Sequence, residues 1–556
     1  MNATFAAGML PKGRIAFFSQ SGAIGIAILD WAIGNEVGFS KFVSLGNKAD
    51  LSETDFIEYF MDDPETDVIL GYIEDVSDGK RFLDVAPCAA KKKPVVLLKA
   101  GGTEAGARAA SSHTAALAGS DIAFDAAFKQ TGVIRARGIQ ELFDTALAFA
   151  GSRRPRGNRL LIITNAGGPG ILAADEAERS GIRLPHMTRE GIDAIKERLP
   201  KNASLYNPVD VIGDATSDRY SVVLEQAARD PNVDGILVIL TPQAMTDVDK
   251  AAEVVINASR QTDKPIISSF MGEARVRGGI NKLKEAGVPN FSYPEAAVRA
   301  YKRLADQSAW MARPAERPYE MKVVVEEVRN KIDKLRKSRV QNLAEDAAAG
   351  ILSGYGFRFP KKSLAKTAKE ASDAAAEMGF PVVMKIASPD ILHKTDVGGV
   401  KLNILSPEAA RDAFREITTN VKRLMPHAFI QGVMVFEMVP AGREVILGAT
   451  FDRTFGHMLM FGLGGIYVEV MKDVSFRIAP VTRRDAEEMI REIKTSALLR
   501  GVRGQRPADT DAVVDSILRL SCLVTDFPEI REVDINPLVV MEKGATALDA
   551  RMVMEF

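Results

Sequence analysis

Two cysteines, Cys88 and Cys522, are all that a chain of 556 residues contains. They lie far apart, so neither a disulfide framework nor a thiolate metal site is available, and a reducing cytoplasm is the simplest setting. No apolar run is long enough to span a bilayer, and Met1 to Lys12 lacks the basic stretch and apolar core of a signal peptide. Neither sign of charge dominates: 72 basic and 73 acidic residues leave a net charge of -1, which argues against nucleic acid or an anionic membrane as partner. Histidine is scarce as well, with five in all, so each imidazole stands out. The rest is ordinary for a globular protein, and the length calls for about three or four domains.

What is present is a repeat. Arg14 to Gly25 (RIAFFSQSGAIG) returns as Arg159 to Gly170 (RLLIITNAGGPG), each an apolar strand passing through a glycine turn into a helix. Asp63-Pro64-Glu65-Thr66-Asp67 is echoed by Asp230-Pro231-Asn232-Val233-Asp234, and Lys93-Pro94-Val95-Val96 by Lys264-Pro265-Ile266-Ile267. Three matches in one order predict two copies of a parallel-sheet α/β domain on a flavodoxin-like plan, over 1–152 and 153–312. Helix N-termini leave backbone N–H groups and a positive dipole end free for an anion. The two turns therefore nominate Ser19, Ser21, Gly22, Asn165, Gly167 and Gly168 as phosphate-binding residues. Neither turn fits the dinucleotide fingerprint, and either alone reads equally as an ordinary helix cap.

The first copy carries something the second lacks. His113 sits in Ala109-Ala110-Ser111-Ser112-His113-Thr114-Ala115-Ala116, among residues too small to shield it. Imidazole is a good nucleophile near neutral pH, and its phosphorylated form passes the phosphoryl group onward. Glu74, which ends the predicted strand 68–73, stands at the sheet edge where such folds place their sites. There it either orients an imidazole or meets solvent.

After 313–340, a proline-bearing and then charged linker, a different pattern begins over 341–556. Lys385 lies within the apolar strand Val382 to Ile386, and a lysine there needs an anion or a rim position. Leu392 to Lys401 (LHKTDVGGVK) is a glycine-bearing loop between strands, suited to fold over phosphates. Glu437 and Glu444 flank the next turn. Asp534, Asn536 and Asp549 lie near strand ends, oxygen donors of the kind that hold Mg²⁺ beside phosphate and water.

Taken together, these motifs resemble the NDP-forming acyl-CoA synthetases, the superfamily of ADP-forming acetate–CoA ligase and succinyl-CoA synthetase. The Ser19–Gly22 turn, the histidine loop, Asn165-Ala166-Gly167-Gly168 and Asn207-Pro208-Val209-Asp210 are similar to its ligase domains. Lys385, the His393–Lys401 loop and Asp534-Ile535-Asn536-Pro537-Leu538 are similar to its ATP-grasp domain. The resemblance implies an α/β chain of two flavodoxin-like domains followed by an ATP-grasp domain. It implies interconversion of acyl-CoA, ADP and phosphate with a carboxylic acid, CoA and ATP, through an acyl phosphate and a swinging phosphohistidine. In that pattern His113 carries the phosphoryl group, Glu74 and Asp534 partner it at the two ends, and His393 is a second carrier. Lys385, Gly398, Gly399, Lys401, Glu437 and Glu444 hold the nucleotide, with Mg²⁺ on Asn536 and Asp549.

One departure matters. Such relatives normally begin with a CoA-binding domain, and this sequence starts after one. The expectation is therefore an enzyme that works with a separate CoA-binding chain, in an oligomer, on small-molecule substrates. The competing expectation is a non-catalytic protein that responds to nucleotide or acyl-CoA. His186, His427 and His457 match no motif and read as structural.

Overall fold

The computed structural model describes residues 11–103, 120–321, 325–388, 390–391, 395–464, 473–501 and 506–556. The chain forms two compact units, Met1–Ala315 and Glu316–Phe556.

The first unit holds two parallel sheets. Strands β1 (Lys12–Ser19), β2 (Phe39–Ser44), β3 (Val68–Ile73), β4 (Val95–Lys99) and β5 (Ile134–Ala136) run in the order 2-1-3-4-5, the flavodoxin order. Strands β6 (Leu160–Thr164), β7 (Val209–Asp210), β8 (Gly235–Leu240) and β9 (Ile266–Phe270) run 7-6-8-9. Helices cover both faces, which is why the central strands are near-continuous apolar runs: every residue of β6, β8 and β9 is buried.

The repeat survives down to single hydrogen bonds. Arg14 reaches the Pro64 carbonyl at 3.2 Å and the Asp67 carboxylate at 2.6 Å, while Arg159 reaches the Pro231 carbonyl at 2.9 Å and Asp234 at 2.8 Å. The Lys93 ammonium donates to the carbonyls of Phe60 (2.8 Å) and Asp63 (2.5 Å), and Lys264 does the same to Ala227 (2.9 Å) and Asp230 (2.5 Å). The Asp-Pro and Lys-Pro echoes are thus staples at the amino-terminal ends of the strands. Helix Pro294–Met311 joins the two sheets' layers. Val298, Tyr301 and Leu304 fill the second core, while Arg303 binds Glu141 at 2.6 Å and Gln307 binds the Ala90 carbonyl at 3.0 Å.

The second unit is antiparallel. Its strands are β10 (Asn342–Leu343), β11 (Lys362–Ala365), β12 (Val382–Ala387), β13 (Val400–Ile404), β14 (Gly432–Glu437), β15 (Arg443–Asp452), β16 (Gly456–Leu463), β17 (Val474–Ile478), β18 (Ile530–Val540), β19 (Ala545–Ala547) and β20 (Ala550–Met554). One sheet runs 11-14-12-13 and the other 10-20-18-15-16-17, with β19 beside β18. In β12 the buried residues alternate, Val382, Met384 and Ile386 facing a core that includes Ala371 and Ile417, so Lys385 falls on the opposite, open face.

Helix Val325–Lys337, the charged end of the linker, is not fully solvated: Val328 and Ile332 are buried in the second unit's core beside Ile351 and Phe527. Only two inward positions were needed, and the surrounding charges hide that stripe in the sequence. His457 is structural, its Nε2 2.5 Å from the Ile530 carbonyl oxygen in a site whose burial holds the imidazole below its usual pKa. Among the described residues no helix is long and apolar enough to cross a membrane.

Candidate active site

Both glycine turns lie at the carboxyl edges of their sheets and are built alike. In the first, the Ser19 hydroxyl donates to the Ser21 carbonyl (2.8 Å) and accepts from the Ser21 N–H (3.1 Å). In the second, Thr164 does the same with Ala166, at 2.8 and 3.1 Å. The next side chain ties each turn to the neighbouring strand's end. Gln20 Oε1 accepts from the N–H of Glu74 (2.6 Å) and of Asp75 (3.2 Å), and its amide donates to the Asp75 carbonyl (3.0 Å). Asn165 accepts from the Thr241 N–H (2.8 Å) and donates to the Thr241 carbonyl (2.9 Å).

Ser19 and Asn165 are buried, with their polar groups spent inside the protein. What the turns present outward is different: the N-cap Ser21 and the exposed Gly22, Gly167 and Gly168, beginning helices Gly22–Gly34 and Gly167–Arg179. A Cβ added at Gly22 or Gly168 would meet nothing within 4 Å, so both helix N-termini open onto free space. The Ser21 hydroxyl caps the Ile24 N–H at 3.4 Å, which leaves the leading N–H groups at Gly22 and at Gly167-Gly168 to meet an anion.

Glu74 is half-buried at the end of β3, its backbone fixed by Gln20. Two groups near it were not evident from sequence. Glu53 is fully buried and accepts from Gln20 (3.2 Å), from the Lys48 ammonium (3.2 Å) and from the Ser77 N–H (2.8 Å). Lys99, the last residue of β4, is 6% exposed, lies 4.7 Å from the Phe124 ring centre, and donates to the Ala100 carbonyl. Burial pushes its ammonium below the usual lysine pKa, opposed by Asp121. Asp121 in turn pairs with the nearly buried Arg135, which binds Asp125 at 2.7 Å. His113 lies outside the described residues, and so does His393.

In the second unit, Asp534, Asn536, Asp549 and Arg551 line one cavity of about 150 Å³. Pairing of β18 with β20 creates it: Asp534 stands opposite Arg551, and the Asn536 N–H donates to the Asp549 carbonyl at 3.2 Å. Burial raises the pKa of both carboxyl groups above the usual range; Asp549 raises Asp534 further, and Glu345 raises Asp549. Lys385 acts on Asp549 in the opposite sense, and its Nζ lies 5.0 Å from the Phe436 ring centre. Two crowded carboxylates and an asparagine around a small cavity are residues of the kind that suit a hard divalent cation, with Arg551 the opposing charge in the same lining.

The remaining nucleotide candidates do not all converge on this cavity. Lys401 is paired with Glu416 at 2.6 Å, and Glu437 holds Arg358 at 3.2 Å and the Lys361 N–H at 3.2 Å. Glu444 is exposed, and its carbonyl accepts from the Gly464 N–H at 2.7 Å. Gly398 closes its turn with positive φ (+63°), and the Gly399 carbonyl accepts from the Ile386 N–H at 2.7 Å, holding the loop against β12.

Comparison with known proteins follows this division. Family models match as a succinyl-CoA ligase like flavodoxin domain over residues 12–149, a Ligase-CoA domain over 160–317 and an ATP-grasp domain over 334–554. ADP-forming acetate–CoA ligase I of Archaeoglobus fulgidus is 48% identical, over 100% of this chain and 80% of the relative. ADP-forming 4-hydroxybutyrate–CoA ligase of Nitrosopumilus maritimus is 42% identical, over 99% and 80%. Dinucleotide forming acetyl-coenzyme A synthetase 1 of Ca. Korarchaeum cryptofilum, solved with phosphate and ADP, matches 56% of this chain and 68% of its own at TM-score 0.54 and 35% identity. The likeness runs the full length of the chain and through every domain, and the chain belongs to the ADP-forming acyl-CoA ligases, enzymes of the acetate–CoA ligase type.

Proposed function

We propose that this ligase works by a phosphoryl relay through His113. Acyl-CoA and phosphate give an acyl phosphate and free CoA. The His113 imidazole then attacks phosphorus, the carboxylate leaves, and a phosphohistidine forms. ADP next takes the phosphoryl group, regenerating the imidazole and yielding ATP. Phosphoryl transfer asks for positioning and charge neutralisation, not covalent elaboration, and the chain offers both.

The single observation that carries this reading is the open helix N-terminus at Ser21-Gly22, fixed by Gln20 to the strand end that bears Glu74. An anion at that terminus is met by free N–H groups and the dipole, while Glu74 accepts from the imidazole nitrogen not engaged in transfer. Gly167-Gly168 offers a second terminus of the same make. In the other unit Lys385 faces the nucleotide phosphates, and Asp534 partners the histidine on delivery. Asn536 and Asp549 would hold Mg²⁺, which when bound neutralises phosphate charge.

Incubation of the purified chain with Mg-ATP tests the relay. Peptide mass analysis is expected to show acid-labile phosphate on His113, and in His113→Ala to show none beyond what the second carrier His393 holds. A wild type that binds nucleotide but carries no phosphate on His113 overturns it.

A further inference from the structure

Behind Gln20, the carboxyl edge of the first sheet holds a charged pair, Glu53 and Lys48, that the relay does not use. Glu53 is 0% exposed, and its side chain accepts from Gln20, Lys48 and the Ser77 N–H. Lys48 reaches it from a left-handed backbone conformation (φ +54°), unfavourable for a residue with a Cβ, and its ammonium also grips Asp75. A buried carboxylate and a strained lysine are both costly, and the carboxylate that Lys48 pairs accepts from one neutral side chain, Gln20.

The second domain shows what the fold itself requires. Counted back equally from the shared Asp-Pro, the place of Glu53 is taken by Tyr220, buried and bonded to the Ile239 carbonyl at 3.1 Å. Asn165 ties its turn to Thr241 without any charge behind it. The plain version of the brace therefore serves as scaffold. The charged version occurs in the copy whose strand end carries Glu74 and whose sequence carries His113 between β4 and β5.

We propose that Gln20, held by Glu53, which Lys48 pairs in turn, is a positioning residue that sets Glu74 relative to the Ser21-Gly22 helix terminus. Both Gln20 amide atoms are engaged, so the carboxamide cannot rotate without breaking bonds to Glu53, Glu74 and Asp75 together. Glu53 reinforces the way the amide faces, because only its nitrogen can donate to a carboxylate, as it does to the Asp75 carbonyl. The oxygen is thereby turned onto the Glu74 and Asp75 N–H groups. This inference rests on the proposed role of Glu74.

The test uses the full chain and two phosphoryl donors, acetyl phosphate and Mg-ATP, reading the rate at which acid-labile phosphate appears on the protein. Gln20→Ala is expected to slow labelling from acetyl phosphate at least about tenfold, with labelling from Mg-ATP unchanged within about twofold. Glu53→Gln, nearly isosteric, removes the charge behind the brace and is expected to slow the same arm by less than Gln20→Ala, since the Glu74 and Asp75 backbone bonds still orient the amide. The ATP arm reports on folding, so an equal loss in both arms marks a merely structural role and overturns the proposal. Unchanged labelling in both arms overturns it too. Glu74→Gln separates the two layers: if it leaves acetyl phosphate labelling intact, the Glu74 reading fails. If Glu74→Gln slows that arm and Gln20→Ala does not, only the brace fails.

Discussion

Asp549→Asn is expected to lower the rate of protein phosphorylation by Mg-ATP at least about a hundredfold, with the first unit's chemistry untouched. The reason lies in the cavity shared by Asp534, Asn536, Asp549 and Arg551. Burial holds both aspartates above their usual pKa; Arg551 opposes it, and acidic neighbours add to it. Each is thus less willing to ionise in the empty protein than in the unfolded chain. Their contribution to stability is full below the ordinary carboxylate range and is lost as pH rises through the raised values. A divalent cation binds the ionised forms and reverses the trend.

Two consequences follow for measurement. Apparent Mg²⁺ affinity is expected to climb as pH rises through the raised carboxyl pKa values and then level off. The metal-free Asp549→Asn protein, relieved of one crowded charge, is expected to melt about 2 °C higher than metal-free wild type at neutral pH. Calorimetric Mg²⁺ titrations and melting curves against pH check both. Unchanged labelling by Mg-ATP in the variant would remove Asp549 from the nucleotide site.

Glu74→Gln is expected to produce the opposite separation. Labelling from acetyl phosphate falls at least about a hundredfold, because the amide keeps the shape of the carboxylate but no longer stabilises an imidazole that gains positive character. Labelling from Mg-ATP stays within about twofold, since that step draws on the other unit. Rapid-quench kinetics with both donors on the same preparation makes the comparison internal. Equal losses in the two arms would count Glu74 as a structural residue.

How far the sequence could be read depended on whether a signal was local. The repeat from Arg14 to Gly25 and from Arg159 to Gly170 announced two related α/β domains, and the hydrogen bonds around Ser19 and Thr164 repeat it atom for atom. The apolar run Val382–Ile386 reads as a wholly buried strand, and only the structure shows the alternation that puts Lys385 on its open face. Direction was harder. A polar side chain in a glycine turn gives the same signal whether it points out or in, so Ser19 and Asn165 read as phosphate ligands although their polar atoms are used internally.

Glu53 was hidden for a related reason. It sits in Ser52-Glu53-Thr54-Asp55, which reads as a helix start, and Asp55 does bond the Ser52 N–H at 2.7 Å. That local pattern accounts for Asp55 and leaves Glu53 looking like an ordinary first-turn acid. Its burial is fixed by Lys48, Gln20 and Ser77, residues on other elements. The pairing of Lys401 with Glu416 was equally illegible, being a contact between a strand and helix Pro407–Leu424. His113 and His393 lie outside the described residues, and their roles rest on sequence pattern and on the sites proposed to serve them.

The central claim is that one phosphoryl group on His113 is a transferable intermediate. The measurement that tests it most directly is a chase. Wild-type chain is labelled with γ-phosphate-labelled Mg-ATP, freed of nucleotide, and mixed with Mg-ADP alone. The relay predicts that the label leaves the protein and returns as ATP in a single turnover. Label that stays on the protein through the chase, or departs only as inorganic phosphate, would contradict it.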